Sequence, residues 1–561
     1  MRQPPLFLLL LVVGCAHSPP TAAPKPAPVE VTIEHLTDRD AWRVRYAFPA
    51  AEPQVVFGRD GRSIRERWKV LEPADATLVA DGERGIVRRA GGAPIDALVM
   101  GLEDDFEKPE KNYQPVIPYG DGGRLFYTGY IDLDIPNDVF FTFVPRAGEH
   151  VVARGQRSGQ PLRTDWVQNG TYAYFGKTEP RVTDAGLAVI DGAMPAWLRE
   201  ELERALPAFL AFYAQGTRQP LPTRPVIFMS YTEEPKSAGS RSFGGGVLPG
   251  IVQLDVRLGA SYRTGRSPVV LQQALWLAAH EGAHLWNSDL FTSEESGAEW
   301  LFEGGADAFA LRGLQQVGAA TAEQTRESYS VALSLCLAGL GDGALRDSSR
   351  AGAWRNHYEC GETLALLTEA AVRRKDPKAD LLSFWGTLFE RAKERRYDSA
   401  LYLTTLQELG GPEAAATVRS LVEAGGPDVE QRWREALRTV GLETVRDDAA
   451  MPEEVRLAIS TGALRRLAQQ DCEANGDARA ASSGAYVGGS GCRTLPPGAK
   501  VVRVGELGWD RGTAVHQTIA ALCARGAPVR LTLEGGLTMD VPCQATLPHA
   551  PGYVRLGDDK R

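Results

Sequence analysis

The chain of 561 residues is longer than one hydrophobic core ordinarily holds, so we expect roughly two to four domains. Its hydrophobic content of 43% and charged content of 24% are typical of a soluble globular protein. The net charge of -9, with an isoelectric point near 5.6, argues against a surface that binds nucleic acid. After the amino-terminal segment, the sequence shows no stretch long and apolar enough to cross a bilayer.

The amino terminus has the pattern of an export signal. An apolar run ends in Val12-Val13-Gly14-Cys15, which resembles a bacterial lipobox. We predict that residues 1–15 are a lipoprotein signal peptide, that Cys15 is lipidated, and that the Pro- and Ala-rich residues 16–28 form a linker. Ala16 favours the outer membrane, facing the periplasm or the cell surface, by analogy with enteric sorting. The alternative is a simple secretory signal with an incidental cysteine.

Two larger segments follow. Residues 29–191 contain strand-like runs such as VEVTIEHL, WRVRYAF and FTFV, broken by Gly, Pro, Asp and Asn, which predict an antiparallel β-sandwich. Residues 192–448 begin with an amphipathic helix and a buried strand, RPVIFMSY, and then repeat apolar residues at 3.6-residue spacing. We therefore predict a second domain over these residues, with a helical carboxyl-terminal half.

Residues 449–561 predict a small α/β domain. A helix and Gly/Ser-rich loops precede a strand in AKVVRVGEL, a helix in TAVHQTIAALCARG and a strand in VRLTLEGG. This order resembles a PDZ domain, although Pro497-Gly498-Ala499 lacks the Asp usual after that glycine. Its role stays open at this point.

A His-Glu-x-x-His motif, His280-Glu281-Gly282-Ala283-His284, follows a long apolar run. Ser267 can cap a helix there, and Pro268 suits its first position. Because positions i and i+4 share a helix face, both imidazoles can meet one Zn²⁺ at about 2.0–2.1 Å, with Glu281 beside it as candidate general base. The alternative is a pair of histidines on an ordinary helix face.

The next segment offers further candidate ligands. Ser296-Gly297-Ala298-Glu299 is typical of a capping box and predicts a second helix through Trp300–Asp307. Glu303 follows His284 after eighteen intervening residues, so a helix–loop–helix can return it as a third ligand. Asp307, one turn later, can accept the free N–H of a ligand histidine. Three protein ligands with an open fourth position are typical of a catalytic zinc site.

These residues resemble the gluzincin metallopeptidases of the aminopeptidase-N-like family. Trp300-Leu301-Phe302-Glu303-Gly304 is similar to its W-L-x-E-G block. His284-Leu285-Trp286-Asn287 is similar to the H-x-W-N of bacterial glycyl aminopeptidases, which often carry a PDZ domain. Tyr358-Glu359-Cys360-Gly361 resembles the Y-E-K-G segment that supplies the transition-state tyrosine, with Cys in place of Lys. The resemblance covers residues 190–370 and implies a thermolysin-like domain with Tyr358 as oxyanion donor.

The family also carries a G-x-M-E-N motif on an edge strand, and its Glu binds the α-amine of the substrate. The matching region here has the glycines Gly244, Gly245 and Gly246 but no Glu in that place. We predict that these glycines permit close approach of a substrate and that Ile251–Val256 is the edge strand over the cleft. A flexible hairpin is the alternative.

Six cysteines remain when Cys15 is set aside, and an even number in an exported chain suggests disulfides. Six cysteines allow fifteen pairings. The sequential pairs have the simplest spacing, so we favour these three: Cys336–Cys360, Cys472–Cys492 and Cys523–Cys543.

The sequence therefore predicts a multidomain α+β, membrane-anchored metallopeptidase with one Zn²⁺ that acts on a peptide or protein substrate. Glu281 would activate a zinc-bound water, and the missing amine anchor favours endopeptidase activity. Aminopeptidase activity is one alternative. An alternative of another class is a non-catalytic scaffold or binding protein of the cell envelope, against which Glu281 argues because a structural site needs no base.

Overall fold

The computed structural model describes residues 27–557, with gaps at 37–39, 59–61, 83, 105–112, 136–137, 166–169, 235–238, 482, 545–546 and 549. The predicted signal peptide, Cys15 and most of the linker lie outside the described residues. Within the described part of the chain, none of the helices combines the length and the apolar character needed to span a membrane.

Strands fill most of the chain up to residue 190, and helices fill most of 268–439. The helices are α1 (Arg62–Arg65), α2 (Ala196–Thr217), α3 (Pro268–His284), α4 (Glu303–Gln316), α5 (Ala322–Leu340), α6 (Arg355–Lys375), α7 (Leu381–Arg391), α8 (Ser399–Leu409), α9 (Pro412–Glu423), α10 (Val429–Thr439), α11 (Glu453–Asp471) and α12 (Thr513–Ala524). The strands are β1 (Val29–His35), β2 (Ala41–Glu52), β3 (Val55–Val56), β4 (Lys69–Glu72), β5 (Ala76–Asp81), β6 (Arg84–Arg89), β7 (Ile95–Glu103), β8 (Val116–Pro118), β9 (Arg124–Tyr127), β10 (Val139–Val144), β11 (His150–Ala153), β12 (Gln156–Ser158), β13 (Leu162–Asp165), β14 (Tyr172–Gly176), β15 (Arg181–Val182), β16 (Leu187–Ile190), β17 (Val226–Glu234), β18 (Arg241–Leu248), β19 (Ile251–Gly259), β20 (Thr444–Arg446), β21 (Ala474–Ala481), β22 (Gly484–Ser490), β23 (Lys500–Val504), β24 (Leu507–Gly508), β25 (Val529–Leu533), β26 (Thr538–Val541) and β27 (Val554–Leu556).

The first of two compact units contains the described residues of 1–103, 130–143 and 163–166. Its larger sheet has six strands in the order β13-β10-β1-β2-β7-β4, and a second sheet has the order β3-β6-β5. In β1 every second side chain is buried, as a strand with one covered face requires. The pairing of β1 with β2 and of β2 with β7 is antiparallel, as the alternating sequence predicts.

The second unit contains the remaining described residues, and two sheets lie in its amino-terminal part. One sheet has the order β12-β11-β14-β9-β8, and the other has the order β15-β16-β17-β19-β18. Strands β16, β17 and β19 are parallel, and β18 pairs antiparallel with β19 at the edge. Strand β16, which the sequence analysis assigned to the amino-terminal segment, therefore belongs to the sheet beside α3.

One strand prediction is wrong. The segment Ile251–Val256 was expected at the sheet edge, but it belongs to β19, which lies between β17 and β18 and is buried along that segment. The edge strand is β18, which contains the three glycines. A run of glycines does not predict a strand, because glycine has low strand propensity. Here the sheet accepts it because the strand passes close to other groups.

The helices around α3 follow the predicted pattern with one correction. The Ser267 side chain caps α3, and Pro268 occupies its first turn, as predicted. The capping box expected at Ser296–Glu299 is absent, because α4 begins at Glu303 without a side-chain cap. Residues 299–302 form turns, and the amide of Glu303 donates to the carbonyl of Glu299 at 2.9 Å. The chain thus reaches the helix through backbone hydrogen bonds instead of a cap.

The carboxyl-terminal part packs α11 and α12 on a sheet whose main order is β21-β22-β23-β25-β26. The Gly/Ser-rich stretch predicted as loops is instead the hairpin of β21 and β22. A Cβ at Gly476 would overlap the backbone of α11 at Ala468, so the small residue allows the hairpin to lie directly on the helix.

The disulfide pairing predicted from spacing is confirmed. Cys336–Cys360 joins α5 to α6, Cys472–Cys492 joins the end of α11 to the loop after β22, and Cys523–Cys543 joins α12 to the segment after β26. The first of these holds the helix that contains Tyr358 against α5.

Candidate metal centre

Helix α3 brings two imidazoles together. His280 and His284 lie one turn apart on the same face, and both side chains are buried. Their Nε2 atoms are 3.1 Å apart. The helix supplies this convergence by itself, since residues four positions apart are neighbours on its surface.

Glu303 approaches the same point from the first turn of α4. Its Oε2 atom lies 3.6 Å from the Nε2 atom of His280 and 3.3 Å from that of His284. Nitrogen and oxygen ligands at about 2.0–2.1 Å from a tetrahedral Zn²⁺ are about 3.3 Å from one another. Among the described residues, this trio is the group of metal-ligating side chains whose donor atoms converge. The donors therefore fit one zinc ion.

Hydrogen bonds fix which nitrogen of each imidazole faces this point. Nδ1 of His280 donates to Oδ1 of Asp307 at 2.7 Å, because an ionised carboxylate can only accept. Nδ1 of His284 lies 3.0 Å from Oδ1 of Asn287, whose amide nitrogen donates to the carbonyl of Phe302 at 2.8 Å. That second bond orients the amide. Both Nε2 lone pairs are consequently free to bind a metal.

The position of Asn287 was not predicted. In the sequence Asn287 is part of the block that resembles H-x-W-N, and no contact is predicted for it. It lies in a π-helical turn, Leu285–Leu290, that continues α3, and its own carbonyl accepts a hydrogen bond from the Tyr397 hydroxyl. π-turns occur often at functional sites. The wider turn allows Asn287 to reach back beneath the ring of His284.

Close backbone packing brings α6 to the ligands. A Cβ at Gly304 would overlap the backbone of Gly361, and a Cβ at Gly361 would overlap the carbonyl of Trp300. Both glycines are therefore required for α4 and α6 to approach this closely. The two motif segments that suggested a family resemblance touch one another through these residues.

Tyr358 lies beside the ligands as a result of this packing. Its ring stacks on the ring of His280, with 6.0 Å between centroids, and the carboxylate of Glu303 lies near its hydroxyl. Burial, together with the nearby Glu303 carboxylate, raises the pKa of the Tyr358 hydroxyl well above its usual range. The phenol therefore keeps its proton and can donate a hydrogen bond.

Glu281, which follows His280 on α3, lies beneath the edge strand β18. Only 8% of the residue is exposed. Burial raises the pKa of Glu281, and the neighbouring His280 and His284 partly offset that rise. A carboxylate with an elevated pKa is a better proton acceptor and donor near neutral pH than an ordinary surface carboxylate.

The three glycines predicted to contact substrate lie on β18 above Glu281. Gly245 is the nearest, since a Cβ there would lie 2.7 Å from Cγ and Oε1 of Glu281. A Cβ at Gly246 would lie 3.2 Å from the ring of Tyr113. Gly244 pairs with Asp255 of β19. The strand thus passes so close to Glu281 that a larger residue at Gly245 would displace its carboxylate.

We expect Gly245→Ala to lower kcat for peptide hydrolysis by about 10²-fold, because a displacement of roughly 1 Å at a reacting group has that effect. Zinc content, measured by atomic absorption, should not change, since Gly245 contacts none of the three ligands. Gly159→Ala is the matched control, because a Cβ there meets nothing within 4 Å. Unchanged kcat in Gly245→Ala would show that the Glu281 side chain tolerates the crowding.

No protein-family profile matches the sequence, and it matches none of the curated proteins. Solved structures do match. An aminopeptidase N family protein from Idiomarina loihiensis gives a TM-score of 0.63 at 13% identity, covering 94% of this chain and 98% of that one. The chain shares its fold with this aminopeptidase N family protein. An M1 zinc metallopeptidase from Deinococcus radiodurans gives 0.42 at 16% identity, covering 72% of this chain and 94% of that one, and a mutant of it bound to Tyr-Ser-Ala substrate gives 0.43 at 16%, covering 71% and 94%.

The elements that form the site occur in order along the chain. The edge strand β18, the histidine helix α3, the Glu303 helix α4 and the Tyr358 helix α6 follow one another in the sequence. Strand β18 has Val247 and Leu248 in the region where the G-x-M-E-N motif would place its amine-binding Glu. The missing Glu of the motif therefore corresponds to a position on the strand above Glu281.

Proposed function

We propose that the protein is a zinc-dependent metallopeptidase that hydrolyses peptide bonds. The observation that supports this most directly is the convergence of the Nε2 atoms of His280 and His284 with Oε2 of Glu303, at 3.1–3.6 Å, beside the buried carboxylate of Glu281. A purely structural zinc site has four protein ligands and no base. Three donors with an adjacent carboxylate are typical of a hydrolytic site.

Each remaining residue of the site has a role in this reaction. Zinc held by the three donors supplies a Lewis acid that polarises a carbonyl and lowers the pKa of water. Glu281 accepts the proton of the attacking water and passes it to the leaving amine. The Tyr358 hydroxyl donates a hydrogen bond to the oxygen that becomes negative as the carbonyl is attacked. Asp307 and Asn287 hold the imidazoles in orientation.

The substrate backbone is proposed to bind along β18. This strand is the edge of its sheet, so one side of its backbone is available to pair with an extended peptide. Glycines at three consecutive positions let β18 lie close against Glu281, so a peptide paired with this strand would extend beside that carboxylate.

We further propose cleavage within chains. Strand β18, RSFGGGVL, includes no carboxylate that could bind a free α-amine. Aminopeptidase activity is the second candidate, and the similarity of the fold to an aminopeptidase N family protein favours it. The two activities differ in whether the substrate must have an unblocked amino terminus.

A panel of peptides in free and N-acetylated forms separates these candidates. For an endopeptidase, we expect kcat/KM for the acetylated form to stay within about threefold of that for the free form, because no buried group is left unpaired when the amine is blocked. Products are identified by mass spectrometry, which also gives the bond cleaved. Loss of all hydrolysis on acetylation would establish the aminopeptidase instead.

Anchoring to the cell envelope is also proposed. It is supported by the lipobox-like sequence ending at Cys15 and by the Pro- and Ala-rich residues that follow it. Acyl chains on Cys15 would hold the peptidase at the membrane surface, with the outer membrane favoured by Ala16.

A further inference from the structure

A cleft of about 690 Å³ adjoins the metal centre. It is lined by residues of helices α3, α4, α5, α6 and α11, and it meets the metal centre at Trp276, Asp307 and Tyr358. Trp276 and Tyr358 both lie against His280, with ring centroids at 5.2 and 6.0 Å. The cleft therefore begins directly beside the ring of His280.

Acidic side chains outnumber basic ones in the lining of this cleft, which we call the acidic cleft. Its lining contains five carboxyl groups and one guanidinium, which are Asp307, Glu327, Glu359, Glu362, Glu454 and Arg355. Three of the carboxyl groups already have partners. Asp307 accepts from His280, Glu327 accepts from the Tyr553 hydroxyl, and Glu359 pairs with Arg355 at 3.0 Å.

No donor in the described part of the chain reaches Oε1 of Glu362. Only 8% of the residue is exposed, and its Oε1 atom is buried without a hydrogen-bond partner among the described residues. A buried carboxylate oxygen with no donor is unfavourable, because it has lost water and gained nothing in exchange. The cleft is large enough for a long side chain. A cationic group entering it would supply the donor that Glu362 lacks.

The direction of β18 determines which substrate residue faces the acidic cleft. Arg241, at the start of β18, hydrogen bonds to Gln273 near the start of α3, and the amide of Gly250, just after β18, donates to Asp289 beyond the end of α3. Strand and helix thus run in the same direction. A peptide pairing antiparallel with β18, the more stable arrangement, runs towards the start of α3.

The acidic cleft lies on that same side, since its α3 residues are Gln272 and Trp276, which precede His280. The residue that enters the cleft is consequently the one that follows the cleaved bond. We propose that this protein selects peptides with lysine or arginine immediately after the cleaved bond, through Glu362 and the other carboxylates of the acidic cleft. This inference rests on the proposed peptidase function.

Binding without turnover tests the inference. The probes are two N-acetylated peptides that differ only in lysine or norleucine at the position after the cleaved bond, titrated calorimetrically into the zinc-loaded Glu281→Gln variant. We expect the lysine peptide to bind at least about tenfold more tightly, as a buried charged hydrogen bond requires. Equal affinity, or failure of both peptides to bind, would overturn the proposal.

Single substitutions show which carboxyl group causes the preference for lysine. In the same background, Glu362→Gln, which preserves shape, should reduce the preference for lysine to below about threefold, and Glu454→Gln at the exposed rim should reduce it by a smaller factor. Glu454→Gln keeps the test decisive if Glu362→Gln does not fold. Glu413→Gln removes the same charge on the surface of α9 and should leave the preference unchanged. A preference that survives both cleft substitutions would exclude this site as its source.

Hydrolysis by the wild-type protein separates this inference from the function on which it rests. If both peptides are cleaved with equal kcat/KM, the peptidase assignment stands and the acidic cleft does not select basic residues. If neither peptide is cleaved but the lysine peptide still binds selectively, the acidic cleft is a binding site and the peptidase assignment fails.

Discussion

Glu281→Gln is expected to lower kcat for peptide hydrolysis by about 10²-fold or more while the zinc content stays unchanged. The amide is nearly the same size as the carboxylate, so the buried side chain keeps its place beneath β18. The amide cannot accept a proton from the attacking water, however, so it has no proton to pass to the leaving amine. The three metal donors lie on other residues and keep their geometry.

The measurement combines peptide hydrolysis with metal analysis of the same preparation. Glu413→Gln, an equal change on an exposed helix surface, should behave as wild type in both assays. Undiminished hydrolysis in Glu281→Gln would refute the general-base assignment. A wild-type protein that binds zinc but cleaves no peptide would support the non-catalytic scaffold that the sequence left open.

Glu303→Ala is expected to weaken zinc binding by more than about 10²-fold. Loss of a residue that only hydrogen bonds to a metal ligand already weakens metal binding by about 10- to 100-fold, and Glu303 is itself one of the proposed ligands. Two imidazoles remain at 3.1 Å, but a tetrahedral zinc site needs a third protein donor. Hydrolysis should fall below detection at zinc concentrations that saturate the wild type.

Competition with a fluorescent chelator measures the affinity directly. After chelation, added zinc should restore activity to the wild-type protein but not to Glu303→Ala. Circular dichroism of both proteins without metal shows whether α4 still forms, which distinguishes a lost ligand from a lost fold. Wild-type zinc affinity in Glu303→Ala would mean that another group completes the site.

The core of the site could be predicted because its determinants are local. Ser267 and Pro268 set the start of α3, and helix periodicity then places His280 and His284 on one face. Glu303 and Asp307 followed from motif spacing, and both contact the histidines in the structure. Cysteine pairing could be predicted from spacing because each disulfide closes a short segment.

Features that depend on contacts between distant segments could not be predicted. The role of Asn287 requires a π-turn, and nothing in the residues Leu285–Leu290 distinguishes such a turn from an ordinary helix end. Glycines normally weaken strands, so the sequence placed the edge strand at Ile251–Val256 and not at the glycine-containing β18. Its true position follows from the proximity of Gly245 to Glu281, which only the folded chain shows.

The acidic cleft could not be predicted for the same reason, because its residues come from distant segments of the chain. Its carboxyl groups come from helices α4, α5, α6 and α11, and Glu454 is almost one hundred residues from Glu359 in sequence. Each is unremarkable alone, because acidic residues on helices are usually solvated. Only the packing of the four helices shows that Glu362 is buried beside the others.

The contact between Gly304 and Gly361 limits how the candidate site can change. Both crowded neighbours are main chain, so no compensating substitution elsewhere can create the missing space. Random mutagenesis with selection for activity should therefore recover neither position altered, singly or as a pair, even when nearby apolar positions drift freely. Helices α4 and α6 therefore keep the same position relative to one another. The distance from Tyr358 to the carboxylate of Glu303 is kept with it.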